Sequence, residues 1–296
     1  MSSRCRADVF LALALLFTPL LACGIDLSAL SEPEKKPKPV ELDPDPTDDE
    51  DEPEKAPKMK PIPGAKKGAV DLGTAIYPDG TPKKDAVSFT FDVPPKHKLG
   101  YALAAAEQKA VDAFYASYAR SVQFKRIGPK SFQWSPPPGC AADMSCVYKK
   151  LITRTDDDVR VIAKRFRARA DAAKLDAVQL TDLALSYVQQ IPYEIPEDPF
   201  GLRPPPLVIS KRKGDCDSKA LLLYMILNEL GIEAVILSSK AHAHTMIGVP
   251  LPTNGTAFRW KSRKYAFAEV TAKGAPLGYL PPELSSPNDW VVELAP

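Results

Sequence analysis

The sequence predicts an α+β fold in which a buried helix packs on an antiparallel sheet, with a smaller strand-and-helix region ahead of it. Three observations carry this. The run ALLLYMILNEL, Ala220–Leu230, is apolar almost all round, as a helix in the middle of a core is. After it, EAVILSS and HTMIGV are short β-branched segments flanking a brief polar stretch, the pattern of two strands and a loop. Upstream, AVSFTFDV over Ala86–Val93 alternates apolar and polar residues, the mark of a half-buried strand.

The elements follow in order. Residues 1–22 read as an export signal: Arg4 and Arg6 give a positive start, Val9–Leu21 is apolar, and a small residue precedes Cys23. That run is too short to span a bilayer comfortably. Leu20-Leu21-Ala22-Cys23 resembles the lipobox of bacterial lipoproteins, which implies cleavage before Cys23 and its lipidation. The resemblance places the protein in the bacterial cell envelope on the periplasmic face, and Gly24 where an Asp would favour inner-membrane retention favours the outer membrane. Residues 23–63 read as a disordered tether. SEPEKKPKPVELDPDPTDDEDEPEKAPKMKPIP has almost no aliphatic residues with which to offset its ordering entropy.

Residues 64–150 read as an accessory region. YPDGTP is a strong turn signal, so the stretch before it is expected to pair with Ala86–Val93 in a hairpin. His97, in PPKHKLG, is expected in an exposed loop. Tyr101–Phe124 has the spacing of an amphipathic helix. In PPPGCAADMSC, Cys140 and Cys146 are close enough to pair in an oxidising compartment, and the lack of nearby histidines argues against zinc. From 151 to 296 the chain reads as the main domain. A basic helix begins near Val159, its arginines on a solvated face, and LTDLALSYVQQI forms a helix ending before Pro192. The formal charge of +2 over 296 residues, with no basic stretch interleaved with aromatics, excludes a nucleic-acid surface.

With Cys23 lipidated and Cys140 paired to Cys146, Cys216 is left as a free thiol. In KRKGDCDSKA, Gly214 breaks the chain and Asp215 is a natural N-cap, so Cys216 falls in the first turn of the apolar helix. The helix dipole there favours a thiolate, while Asp215 and Asp217 oppose it. A cationic partner is needed. His242 and His244, in KAHAHTMIGV, would face one side of a strand, with Ala243 on the other. The pair lacks a third ligand, so no metal and no cofactor is expected. A Cys–His pair also needs a group to hold the imidazole. Glu269, in the apolar run RKYAFAEVTAKG, is the candidate, since an unpaired carboxylate there would be costly.

The segments GDCDSKALLLYMILNELGIEAVIL, HTMIGV and YAFAEVTAKGAPLGYLP together resemble the bacterial transglutaminase-like superfamily over roughly residues 180–282. The resemblance implies a papain-like core with Cys216 as nucleophile, His244 as base and Glu269 as orienting acid. It implies no cofactor, and a peptide or protein substrate whose amide or glutamine carbonyl is attacked. Tyr193 would line the cleft, and Asp217 and His242 are the remaining candidates for substrate or oxyanion contacts. Glu269 stands where Asp is commoner, within a Glu-x-Thr motif that resembles one subgroup. The alternative is a catalytically inactive module of the same fold that binds a partner in the cell envelope.

Overall fold

The computed structural model describes residues 41–42, 58–63, 68–78, 86–122, 125–127, 132–133, 135–140, 144–196, 201–286 and 289–296. In chain order the elements are β1 (Glu41–Leu42), β2 (Val70–Tyr77), β3 (Val87–Asp92), β4 (Lys96–Leu103), α1 (Ala105–Val122), β5 (Lys125–Arg126), β6 (Phe132–Gln133), α2 (Met144–Ala173), α3 (Ala177–Gln189), α4 (Pro205–Ser210), α5 (Cys216–Glu229), β7 (Val235–Ser239), β8 (His244–Val249), β9 (Ala257–Trp260), β10 (Arg263–Ala268) and β11 (Val291–Leu294). The export signal, Cys23 and most of the tether lie outside the described residues. No helix among the described residues is long and apolar enough to cross a membrane.

The fold is α+β. Six strands form an antiparallel sheet in the order β1-β9-β10-β8-β7-β11. The β7–β8 hairpin sets Ser239 opposite His244, and β10 pairs with the other edge of β8, setting Ala268 opposite Ile247. This register brings the start of β8 and the end of β10 to neighbouring positions. Gly248, in the centre of β8, has no room for a side chain, because a Cβ would lie 2.5 Å from the Phe258 ring.

The apolar helix is α5, and it packs against β7 and β8 as well as α2, α3 and α4. Asp215 caps it by accepting from the Ser218 amide, and Gly231 ends it at φ +73°, in the left-handed conformation a helix stop favours. Every residue from Cys216 to Leu227 is buried except the half-buried Asp217. Each large aliphatic removed from water contributes about 1.5–3 kcal/mol, so this helix holds its place by packing and cannot turn to expose another face.

The early chain differs from expectation in several respects. β2 and β3 form no hairpin, because β4 lies between them, parallel to β2 and antiparallel to β3. Lys96 and Lys98 give that strand a loop-like polarity. Their alternation with the buried His97, Leu99 and Tyr101 is nonetheless a strand's. His97 is therefore not exposed but fully buried, stacked on Phe91, with Nδ1 2.6 Å from the Pro95 carbonyl and Nε2 accepting from Arg169 at 3.2 Å. The following helix begins at Ala105 rather than Tyr101, since Tyr101–Leu103 complete the strand.

Two expected boundaries also move. Packing begins before Gly64: Met59 and Ile62 are 4% and 2% exposed, and the Ile62 amide donates to the Pro94 carbonyl. Within the tether, Glu41–Leu42 pairs with β9. The boundary expected at 150/151 falls inside α2, a 30-residue helix whose buried residues belong to the same core as β3, β4, α3 and α5. The arginines of α2 lie on a solvated face as expected, Arg165 and Arg167 exposed and Arg160 and Arg169 half-buried, and they also bond to neighbouring elements. Arg160 bonds Glu229, Arg165 donates to the Thr74 carbonyl, Arg167 to the Leu230 carbonyl, and Arg169 to His97 and the Pro63 carbonyl. They fasten α2 to the elements around it.

Candidate active site

The site forms where the N-terminus of α5 meets the start of β8 and the end of β10. Cys216 is the first residue of α5 and is 5% exposed. Among the described residues it is the one free cysteine, since the sulfurs of Cys140 and Cys146 are bonded to each other, with their Cα atoms 5.6 Å apart. Burial pushes the Cys216 thiol well above its ordinary range, and the charges of Asp217 and then Asp215 push it further. The backbone N–H groups of Thr245 and Asp217 contact the sulfur and work in the other direction. The helix terminus thus does not by itself yield a resting thiolate, and the two aspartates are the reason besides burial.

His244 opens β8. Its Nε2 is 2.7 Å from Glu269 Oε2. Glu269 follows the last residue of β10 and is 1% exposed. Its other oxygen, Oε1, accepts from the Thr271 amide at 2.6 Å and the Thr271 hydroxyl at 2.5 Å. This accounts for the Glu-x-Thr spacing physically: the threonine two residues on supplies two donors to a carboxylate buried away from the surface. Burial works to raise the Glu269 carboxyl, but the bonds from His244 and then Thr271 outweigh it and hold the group below its ordinary value. An ionised carboxylate only accepts, so Nε2 carries the hydrogen and Nδ1 keeps its lone pair. Nδ1 is the ring nitrogen that Glu269 does not engage.

The other candidates are placed differently. His242 is not on the strand: Ala243, at φ +48°, turns the backbone, so the two imidazoles do not share a strand face. His242 Nε2 is 3.1 Å from Asp289 Oδ2, and Trp290 approaches both rings, its centroid 6.1 Å from His242 and 6.2 Å from His244. Tyr193 is 53% exposed, and its hydroxyl interacts with the Cys216 side chain. It is held to the loop before Cys216 by a bridge to Gly214, and beside it the Glu194 amide donates to the Gly214 carbonyl. Asp217 Oδ1 accepts from the hydroxyls of Tyr148 and Thr245. No group of three or more metal-ligating side chains occurs among the described residues.

Sequence reading missed two residues that build this site. Gln189 closes α3, and its side-chain amide donates to the carbonyls of Glu269 and Ala275 while its oxygen accepts from the Gly274 amide. It fixes the backbone that carries Glu269. Lys219, one turn after Cys216, is 1% exposed and gives its ammonium to the carbonyls of Ile191 at 2.9 Å and Gln189 at 3.4 Å. Burial pulls this amine down to about 8, against the opposing charge of Glu269. A lysine in an otherwise apolar helix was the available signal. Such a residue is almost never fully buried unless its charge is used.

No family model matches the chain, and no curated protein matches it. Among solved structures, LapG of Legionella pneumophila is similar, with a TM-score of 0.28 at 14% identity over 51% of this chain and 81% of that one. Its calcium-bound form gives a TM-score of 0.24 at 17% identity over 39% and 71%, and its EGTA-treated form 0.23 at 17% over 46% and 78%. At these values the likeness decides nothing about chemistry.

Proposed function

We propose that the protein is a cysteine enzyme of the cell envelope that cleaves or transfers acyl groups of peptide or amide bonds. Cys216 is the nucleophile, His244 the base and Glu269 the orienting acid. The observation that carries this is the His244–Glu269 bond of 2.7 Å, made by two buried or half-buried side chains on adjoining strands, with the residue after His244 in contact with the Cys216 sulfur. Structural packing alone seldom needs an imidazole and a carboxylate desolvated together.

In the forward step the Cys216 S–H proton passes to His244 Nδ1 as the sulfur bonds to the substrate carbonyl carbon, and the carbonyl π electrons move to oxygen. The Cys216 backbone N–H, one of the unpaired donors at the start of α5, faces that developing oxyanion. Collapse of the intermediate breaks the C–N bond, and the imidazolium returns the proton to the leaving nitrogen. Water or an amine then attacks the thioester, giving its proton to His244 and releasing Cys216 as the thiol. Glu269 keeps the Nε2–H tautomer and stabilises the imidazolium throughout. Burial and the two aspartates disfavour a free thiolate, so the proton is passed to His244 as the sulfur attacks. Lipidation at Cys23 would hold this enzyme to the membrane, with the outer membrane favoured, and substrates would be peptide or protein.

The test is site-resolved mass spectrometry of the full chain after incubation with glutamine-containing peptides, with and without a primary amine. A mass added at Cys216 that is lost in Cys216→Ser and His244→Ala supports the proposal, and the amine-dependent product separates transfer from hydrolysis. No adduct and no product across a broad peptide set would count against it. A specific observation favours the alternative of an inactive binding module: the nucleophile is nearly covered, and two carboxylates hold it protonated. That alternative requires a Cys216→Ser protein to keep its full function.

A further inference from the structure

Asp217 follows the proposed nucleophile directly, where a free carboxylate would oppose charge on the sulfur. It is not free. Its Oδ1 accepts from the Tyr148 hydroxyl at 2.9 Å and from the Thr245 hydroxyl at 2.5 Å. Tyr148 is fully buried near the start of α2, ahead of the chain segment that carries Cys216, His244 and Glu269. Thr245 is the residue after His244, and its backbone N–H contacts the Cys216 sulfur. A single carboxylate oxygen therefore joins α2, α5 and β8, one residue away from the nucleophile and one residue away from the base.

We propose that Tyr148 is a positioning residue for the Cys216–His244 pair: together with Thr245 it pins Asp217, fixes the mouth of α5 against β8, and draws the carboxylate's charge onto two hydroxyl donors instead of the sulfur. This rests on Cys216 being the nucleophile. The start of α2 is itself held for the task. Cys146, two residues before Tyr148, is bonded to Cys140. The Met144 amide donates to Glu293 Oε1 at 2.8 Å, and Glu293 Oε2 accepts from Ser238 on β7 at 2.8 Å. The disulfide loop and β11 thus determine where the Tyr148 hydroxyl lies, and the early chain supplies part of the catalytic apparatus. A phenol buried only for packing needs any acceptor within reach. This one shares its acceptor with the residue beside the base.

The charged and titratable groups around the node are Asp215, Asp217, Cys216 and Lys219 on or beside α5, His244 at the start of β8, Glu293 on β11, Tyr148 on α2, and Tyr193. Removing one hydroxyl leaves the Asp217 charge to act on the sulfur. The experiment is the pH profile of iodoacetamide alkylation at Cys216 in the full chain, read by mass spectrometry, for wild type, Tyr148→Phe, Thr245→Val and the double variant. Cys216→Ser serves as the blank. Tyr148→Phe keeps the ring that fills the core, so the fold is expected to survive, and Thr245→Val carries the test if it does not.

Each single variant is expected to move the alkylation midpoint upward by about one pH unit, a tenfold loss of reactive sulfur at fixed pH. The double variant is expected to fall short of the sum, because both hydroxyls act through one oxygen. Tyr148→Phe and Thr245→Val profiles that superimpose on a reactive wild type would overturn the assignment of Tyr148 while leaving the nucleophile intact. A wild-type sulfur that iodoacetamide never modifies would overturn the nucleophile, and the assignment with it.

Discussion

Nε2 of His244 and Oε2 of Glu269 lie 2.7 Å apart although 25 residues separate them in the chain. The pairing of β8 with β10, with Ala268 opposite Ile247, brings the two segments together, and the Gln189 side chain fixes the backbone that carries Glu269. The carboxylate arrives already saturated on its other oxygen by Thr271. Oε2 is the oxygen left for the imidazole.

Glu269→Gln tests that relationship. The amide can still accept from Nε2–H but carries no charge to stabilise an imidazolium. Turnover is expected to fall about 10²–10⁴-fold with KM little changed, the range for loss of general acid–base assistance. Thr271→Val, which removes one of two donors to Oε1, is expected to act in the same direction and more weakly. Steady-state kinetics on an identified peptide substrate would read both, and unaltered turnover in Glu269→Gln would remove Glu269 from the mechanism.

Lys219→Met separates stability from function. Removing a buried charge offsets the two hydrogen bonds lost, so stability at pH 7 is expected to shift by less than about 2 kcal/mol. Activity is expected to drop roughly tenfold, because the C-terminal carbonyls of α3 lose the ammonium that holds Gln189 and the Tyr193 segment in place. Urea unfolding beside turnover checks both. A variant that loses stability and activity in proportion would make Lys219 a folding residue only.

Asp158 sets a pH dependence of stability. Burial, then the charge of Glu107, raises its carboxyl from 3.8 to about 7, with Arg154 opposing, and neither oxygen has a hydrogen-bond donor. The folded value lies above the unfolded one. The contribution is therefore fully present below the unfolded value of 3.8 and is lost as pH rises through about 7. Asp158→Asn is expected to melt increasingly above wild type as pH goes from 5 to 8. Melting temperatures taken across that range check it, and a difference that stays constant with pH would contradict the assignment.

Met59 and Ile62 test where the folded protein begins. Both are nearly fully buried against the core. Replacing each with alanine is expected to cost about 2–5 kcal/mol, as for other buried aliphatic side chains. Guanidinium unfolding would measure it. A chain truncated to start at Gly64 should be destabilised in the same way, whereas an unfolding midpoint equal to wild type would restore the boundary at 64.

Much of the site was legible because its signals are local. A Gly-Asp-Cys break ahead of an apolar run gave the helix mouth, its cap and the place of Cys216 in the first turn, since capping depends on residues three apart. The short β-branched runs in EAVILSS and HTMIGV gave β7 and β8, strands that are buried along nearly their whole length. Glu269 could be singled out because a charge in an apolar run has to be answered by something. Where competing signals overlapped, the reading slipped. The lysines of β4 hid a strand, and the left-handed turn at Ala243 took His242 off the face it shares on paper with His244.

By itself, the sequence determined which residues are chemically capable and roughly where α3, α5, β3, β7 and β8 lie, because those depend on the side chain and its near neighbours in the chain. Only the tertiary structure decided which of these residues meet: that His244 and not His242 reaches Glu269, that Tyr148 comes to Asp217 from α2, that Lys219 turns from α5 to the carbonyls of Gln189 and Ile191, and that Met59 belongs to the core. Contacts of this kind are set by sheet order and helix packing. Those follow from burying all the apolar surface at once, a condition on the whole chain that no short stretch of it records.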